Sequence, residues 1–118
     1  MTAKKSKSAF PQGSLDMLIL KSLETEPRHG YGIARHLRET SREFIQLEEG
    51  SLYPALHRME KRGWIQSEWG QSESNRRAKY YQLSKAGKKQ LGIETDAWQK
   101  MVEAIQRVMS PVALEGKS

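Results

Sequence analysis

A chain of 118 residues with a formal net charge of +6 has room for one ordinary domain with a modest core and an appended helix, and a second domain is not expected. It has no cysteine, which excludes a disulfide framework and a thiolate site and fits a reducing compartment; no apolar run is long enough to span a bilayer. The positive charge is clustered at Lys4, Lys5 and Lys7, at Arg76, Arg77 and Lys79, and at Lys85, Lys88 and Lys89, a pattern that points to a polyanionic partner.

Residues 1–12 lack apolar periodicity and are expected to form a loose basic arm, with Phe10 as the one residue able to tack it onto the body. This start has no apolar h-region, so it reads as neither signal peptide nor anchor, and the expected location is cytoplasmic. Next come Ser14 as a cap, Asp16 near the positive helix start, and a stripe of Leu15, Leu18, Ile19 and Leu23. They predict a core helix that continues to Glu26, where Pro27 stops it. Arg28 to Gly32 reads as a turn, and Ile33, Ala34 and Leu37 mark a short amphipathic helix to about Thr40. The run Phe44 to Leu47 is too short to assign.

The third helix organises the rest. Leu52, Ala55, Leu56 and Met59 recur at the spacing of one helix face, with Ser51 as the expected N-cap, Pro54 in the first turn and Gly63 as the left-handed residue that ends it. Tyr53, His57, Arg58 and Lys61 are left on or near the outer side. Trp64 to Trp69 and Ala78 to Leu83 read as two strands of a hairpin, joined by a long, mobile tip from Gly70 to Arg77. Ser84 can cap a last, long helix, closed by Pro111. On it Leu91, Trp98, Met101, Val102, Ile105, Val108 and Met109 form a seam of period near 3.5 that a body of this size cannot easily cover alone. The expected partition is a flexible basic arm at 1–12, a DNA-binding domain at 13–83, a dimerisation helix at 84–110 and a flexible tail at 111–118.

This order is mainly α with a small β-hairpin, the order of a winged helix-turn-helix, in which the second helix of the motif enters the major groove and the hairpin lies over the backbone. From about Gly13 to Met109 the chain resembles the PadR-type transcriptional regulators, most closely their short class with one C-terminal helix. The likeness rests on Gly13-Ser14-Leu15 with Leu18-Ile19-Leu20, on Gly30-Tyr31-Gly32-Ile33, and on Gly50-Ser51-Leu52-Tyr53-Pro54-Ala55-Leu56. It continues through Glu60 and Gly63, Arg76-Arg77-Ala78-Lys79-Tyr80-Tyr81 and Leu83-Ser84-Lys85-Ala86-Gly87. The resemblance implies a homodimeric repressor on an inverted repeat of double-stranded DNA, and for several members a small aromatic effector that releases the DNA.

Physical chemistry gives each matched residue a role. Ser51, Tyr53, Pro54 and His57 would face the groove, the hydroxyls donating to phosphates and Pro54 offering an apolar contact, while Lys61 suits the backbone. Arg58 equally suits a surface pair with Glu60 or Glu49. Tyr31 fits either a phosphate contact or a wedge between helices. Arg76, Arg77 and Lys79 suit phosphates or a narrow minor groove. Leu91, Trp98, Met101, Val102, Ile105 and Met109 are the expected dimer contacts; Trp98 fits either the dimer core or, by the resemblance, a stacked planar ligand. His29, His36 and His57 are too scattered for a metal set, Ser51 has no partners that would make it a nucleophile, and no phosphate loop appears, so neither a metal, a cofactor nor catalysis is expected. The rival reading is a protein-interaction module of the same fold that does not read DNA. Steep salt dependence of DNA binding separates the two.

Overall fold

The computed structural model describes residues 12–110, so most of the expected basic arm, with Phe10, and the tail from Pro111 onward lie outside the described residues. Helix α1 (Gln12–Ser22) is the central element. Leu15, Asp16, Met17, Ile19, Leu20 and Ser22 are all buried, so burial runs round most of the helix, as expected of one that sits in the middle of a core. It ends well before the expected stop at Glu26. The N–H groups of Leu23 and Glu24 turn back to the carbonyls of Leu20 and Lys21, both at 3.1 Å, and Arg28 donates to the Ser22 carbonyl at 2.8 Å. The terminal acceptors are thus satisfied before Pro27 is reached. Ser14 lies inside this helix and is not its cap.

The expected turn at Arg28 is instead a short strand, β1 (Arg28–His29), and His29 then caps α2 (Gly30–Thr40), its Nδ1 accepting from the Gly32 N–H at 2.9 Å. Ile33 and Leu37 bury the inner side of α2. Helix α3 (Glu49–Lys61) starts earlier than expected: Glu48 holds the N-cap position without a side-chain bond, and Ser51 lies within the first turn. Pro54 is therefore inside the helix, where it withholds the N–H that the Gly50 carbonyl would accept. Both residues are exposed, so that carbonyl is open to water. The far end is as expected. Gly63 (φ 79°) donates to Glu60 and Trp64 to Met59, both at 3.0 Å, the paired bonds of a Schellman stop.

Strands β2 (Ile65–Gln71) and β3 (Arg77–Leu83) pair from Ile65 opposite Leu83 to Gln71 opposite Arg77, and β1 joins the other edge of β3, giving the antiparallel order β1-β3-β2. The strands run further than expected. Only Ser72 to Arg76 remain as the tip, closed by Ser72 N–H to Arg76 at 2.8 Å and Asn75 N–H to Ser72 at 2.9 Å, with Asn75 in the left-handed region that asparagine tolerates. Ser84 caps α4 (Lys85–Met109), its hydroxyl accepting from the Gly87 N–H at 3.0 Å. A Cβ on Gly87 would collide with the Trp64 carbonyl oxygen, so this glycine lets the helix start lie against the wing. Leu91 completes the core against α1, while the helix beyond it leaves the body and stretches the molecule to 61 Å.

Two polar struts hold α3. On one flank the Arg58 guanidinium donates to the Asp16 carboxylate of α1 at 2.5 Å, so its partner is neither of the glutamates expected from the sequence. On the other flank Glu60 accepts from the Ser67 hydroxyl at 2.5 Å and pairs with Lys79 at 3.5 Å. Burial raises the Asp16 carboxyl above its ordinary 3.8, outweighing the pull of Arg58. Removing Arg58 would strand that carboxylate, whereas removing Asp16 leaves a guanidinium, 28% exposed, that still reaches water. Arg58→Met is expected to cost roughly 3 kcal/mol at neutral pH, and Asp16→Asn clearly less, in urea unfolding followed by circular dichroism. Arg58 is what pulls the raised Asp16 pKa down, so its loss raises that pKa further; falling pH then protonates the variant's fold before the wild type's, and the deficit of Arg58→Met should narrow towards pH 3.8. A deficit that widens on acidification would mean that Asp16 is satisfied without Arg58.

Candidate nucleic-acid interface

With its inner stripe of Leu52, Ala55, Leu56 and Met59 fully buried, α3 presents Tyr53, Pro54, His57 and Lys61 outward, all exposed, with Ser51 exposed on the flank nearer Arg58. Tyr53 is 44% exposed and Tyr31, at the start of α2, is 62% exposed. These two tyrosines, with Arg76, Arg77 and Lys79, line one open concavity between the start of α2, the first turns of α3 and the inner face of the wing. Ser51, Pro54, His57 and Lys61 do not line it; they continue the same exposed side along α3.

Close packing aims Tyr53. Its ring lies over the backbone of Gly30, where an added Cβ would stand 2.7 Å from Tyr53 Cζ. The glycine at the start of α2 is therefore what admits the tyrosine of α3, and its ring is positioned before any ligand arrives. Tyr31 stands on the same rim, 6.4 Å from His29 between ring centroids, and does not wedge helices apart. Tyr81, at the floor, is buried, and burial with the nearby Glu60 and Tyr53 raises its phenol above 10.0, so it remains a neutral wall at physiological pH.

The cations of the concavity are not equivalent. Arg76 and Arg77 have no ion-pair partner among the described residues, and neither does Lys61, whereas Lys79 is bound to Glu60 and also lies 5.8 Å from the Tyr81 ring. Arg77 instead stacks on Trp69, 4.5 Å from the ring centroid. Trp69 is the residue that sequence reasoning passed over: it reads there as an ordinary strand residue, and only the strand register puts it on the same face as Arg77 and Lys79. A second concavity, beside Arg28, Arg35 and His36, is compensated by Glu26 at 3.2 Å and Glu39 at 3.3 Å. Burial and Arg28 hold the His36 imidazole below 6.5, and this cleft has no excess charge to offer. No cluster among the described residues has the three ligands that a metal ion would need.

An exposed helix face flanked by an aromatic rim and by a wing with unneutralised arginines is the geometry of a protein that meets phosphates along a groove. The model of the transcriptional regulator PadR-like family matches residues 19–93, more than half of the chain. The chain belongs to this family. It is accordingly a DNA-binding transcriptional regulator with a winged-helix fold, not an enzyme. A PadR family transcription regulator from Clostridium difficile R20291 is 36% identical, with a TM-score of 0.70 over 80% of this chain and 97% of that one. A transcriptional regulator from Clostridium thermocellum is 30% identical, with a TM-score of 0.74 over 80% of this chain and 92% of that one. An uncharacterized protein from Lysinibacillus sphaericus is 28% identical over 103 residues, 87% of this chain and 94% of its own length. No helix among the described residues is long and apolar enough to cross a membrane.

The Gly30 and Tyr53 packing makes a prediction. Gly30→Ala should displace the Tyr53 ring and lower affinity for duplex DNA in the same direction as Tyr53→Ala, with little further loss when the two are combined. Anisotropy titration of a labelled duplex measures this, and additive losses would show that Gly30 acts independently of Tyr53.

Proposed function

We propose that this PadR-family regulator is a repressor that occupies an inverted-repeat promoter site as a homodimer. Residues 13–83 act as the reading unit and 84–110 as the dimerisation helix. In this reading Ser51, Tyr53, Pro54 and His57 enter the major groove from α3, while Tyr31, Lys61, Arg76 and Arg77 hold the flanking phosphates. The observation that carries the dimer is the outer half of α4. Trp98, Met101, Ile105, Val108 and Met109 are 48–74% exposed along one helix of a single chain, with Val102 half-buried among them. A strip of this kind marks an interaction surface, and a second copy of the same helix covers it symmetrically. Leu91 contributes less to it, because it is 6% exposed and fills the chain's own core.

Two copies joined this way place their reading helices about 34 Å apart, one helical turn, and so match a palindromic site. Val102→Glu or Ile105→Glu should turn a dimer into a monomer in light scattering at micromolar concentration and abolish binding to genomic fragments selected by the wild type. A wild-type protein that is itself monomeric there would refute the assembly. The repressor reading requires steep salt dependence on the bound fragment, which an interaction module of the same fold would lack.

The half-exposed indole of Trp98 favours a second, compatible feature: a planar aromatic effector stacked at the dimer axis, shifting the angle between reading helices. Titrating cationic and phenolic aromatics against a variant with Trp64 and Trp69 replaced by phenylalanine should then quench Trp98 and weaken DNA binding. Neither change up to millimolar ligand would return Trp98 to simple dimer packing.

A further inference from the structure

The wing carries two cations on its inner face, Arg77 and Lys79, and the structure treats them oppositely. Lys79 gives its charge to Glu60 of α3, whose other oxygen is held by Ser67 of β2, so this lysine ties the reading helix to the wing. Arg77 has no carboxylate within ion-pair distance among the described residues. Its guanidinium carbon stands over the ring of an indole that is itself 57% exposed. The register explains the contact: Trp69 faces Lys79 and Gln71 faces Arg77, so Arg77 reaches Trp69 on the diagonal of one sheet face.

A large aromatic left more than half exposed at the edge of a ligand-facing concavity contributes little to the core. An arginine has many rotamers, and holding one of them against a ring costs no charge, whereas pairing it with a carboxylate would cancel the charge that DNA needs. We propose that Trp69 is a positioning residue: it pre-orders Arg77 as one of the wing's phosphate contacts, while Lys79 serves as a strut between α3 and the wing and contacts no phosphate. This rests on the DNA-binding reading and divides labour within it.

The test is a double-mutant cycle on the full chain with a labelled mixed-sequence duplex of about 30 base pairs, roughly three turns, titrated over a range of salt. If wild-type binding lacks salt dependence, the DNA reading itself fails and this proposal falls with it. Given salt-dependent binding, Arg77→Ala should weaken affinity and reduce the steepness of log K against log salt by about 0.9, one phosphate contact. Trp69→Leu should weaken affinity roughly threefold to tenfold, the range for one arginine that must now be ordered on binding, and Trp69→Phe should restore most of it. In the Arg77→Ala background Trp69→Leu should change nothing. Lys79→Met should leave the salt slope unchanged while lowering the melting temperature.

Additive losses in the cycle would mean that Trp69 touches DNA itself or holds up the wing, and would overturn the positioning role. So would a Trp69→Phe variant as weak as Trp69→Leu. A fall of about 0.9 in slope for Lys79→Met would overturn the division between the two cations.

Discussion

The rotation of α3 about its own axis is the constraint on which the interface depends. Leu52, Ala55, Leu56 and Met59 set it coarsely by burying one side, but an apolar stripe tolerates sliding and small turns. Arg58 and Glu60 remove that freedom. At 100° per residue they project from opposite flanks of the helix. One is bonded to Asp16 of the central helix, the other to Ser67 and Lys79 of the wing. Between these fixed flanks the side bearing Tyr53, Pro54, His57 and Lys61 is left to solvent. A reading helix misaligned by one such step would present a flank carrying a carboxylate, so the struts serve recognition as much as stability.

Local signals in the sequence located most elements and placed few of their contacts. Gly63 and Ser84 are legible because a left-handed stop and a cap are decided by residues within one turn. The partner of Arg58 is not legible: Glu49 and Glu60 lie nearby along the chain, but the partner is Asp16, 42 residues away. Asp16 itself, placed by sequence near the positive start of its helix, is 6% exposed because α1 is enclosed on nearly every side. Strand β1 escapes for another reason. Two residues carry no alternation, and only pairing of Arg28 and His29 with Tyr81 and Tyr80 makes them a strand.

The seam on α4 shows the same limit in apolar residues. A period near 3.5 identifies a face that needs covering, but it does not say by what. The structure divides the run: Leu91 is covered by the chain's own α1, and from Trp98 onward the face is largely exposed among the described residues. Gly87 governs where that division falls, because its missing side chain seats the helix start against the Trp64 backbone and so fixes how much of α4 remains over the body.

Charge follows a similar logic, and it decides which surface can meet DNA. A formal excess of +6 says that cations outnumber carboxylates but not which of them are spent. Arg28, Arg35, Arg38, Arg58 and Lys79 each sit within ion-pair distance of an acid. Apart from the partly buried Arg58–Asp16 pair such pairs add little to stability, yet each removes a positive charge from the field that a phosphate would feel. Arg76, Arg77 and Lys61 are not neutralised in this way among the described residues, and they flank the exposed side of α3. The electrostatic footprint is therefore narrower than the composition implies: it is set by the carboxylates, chiefly Glu60, that hold some cations back and leave others to the partner.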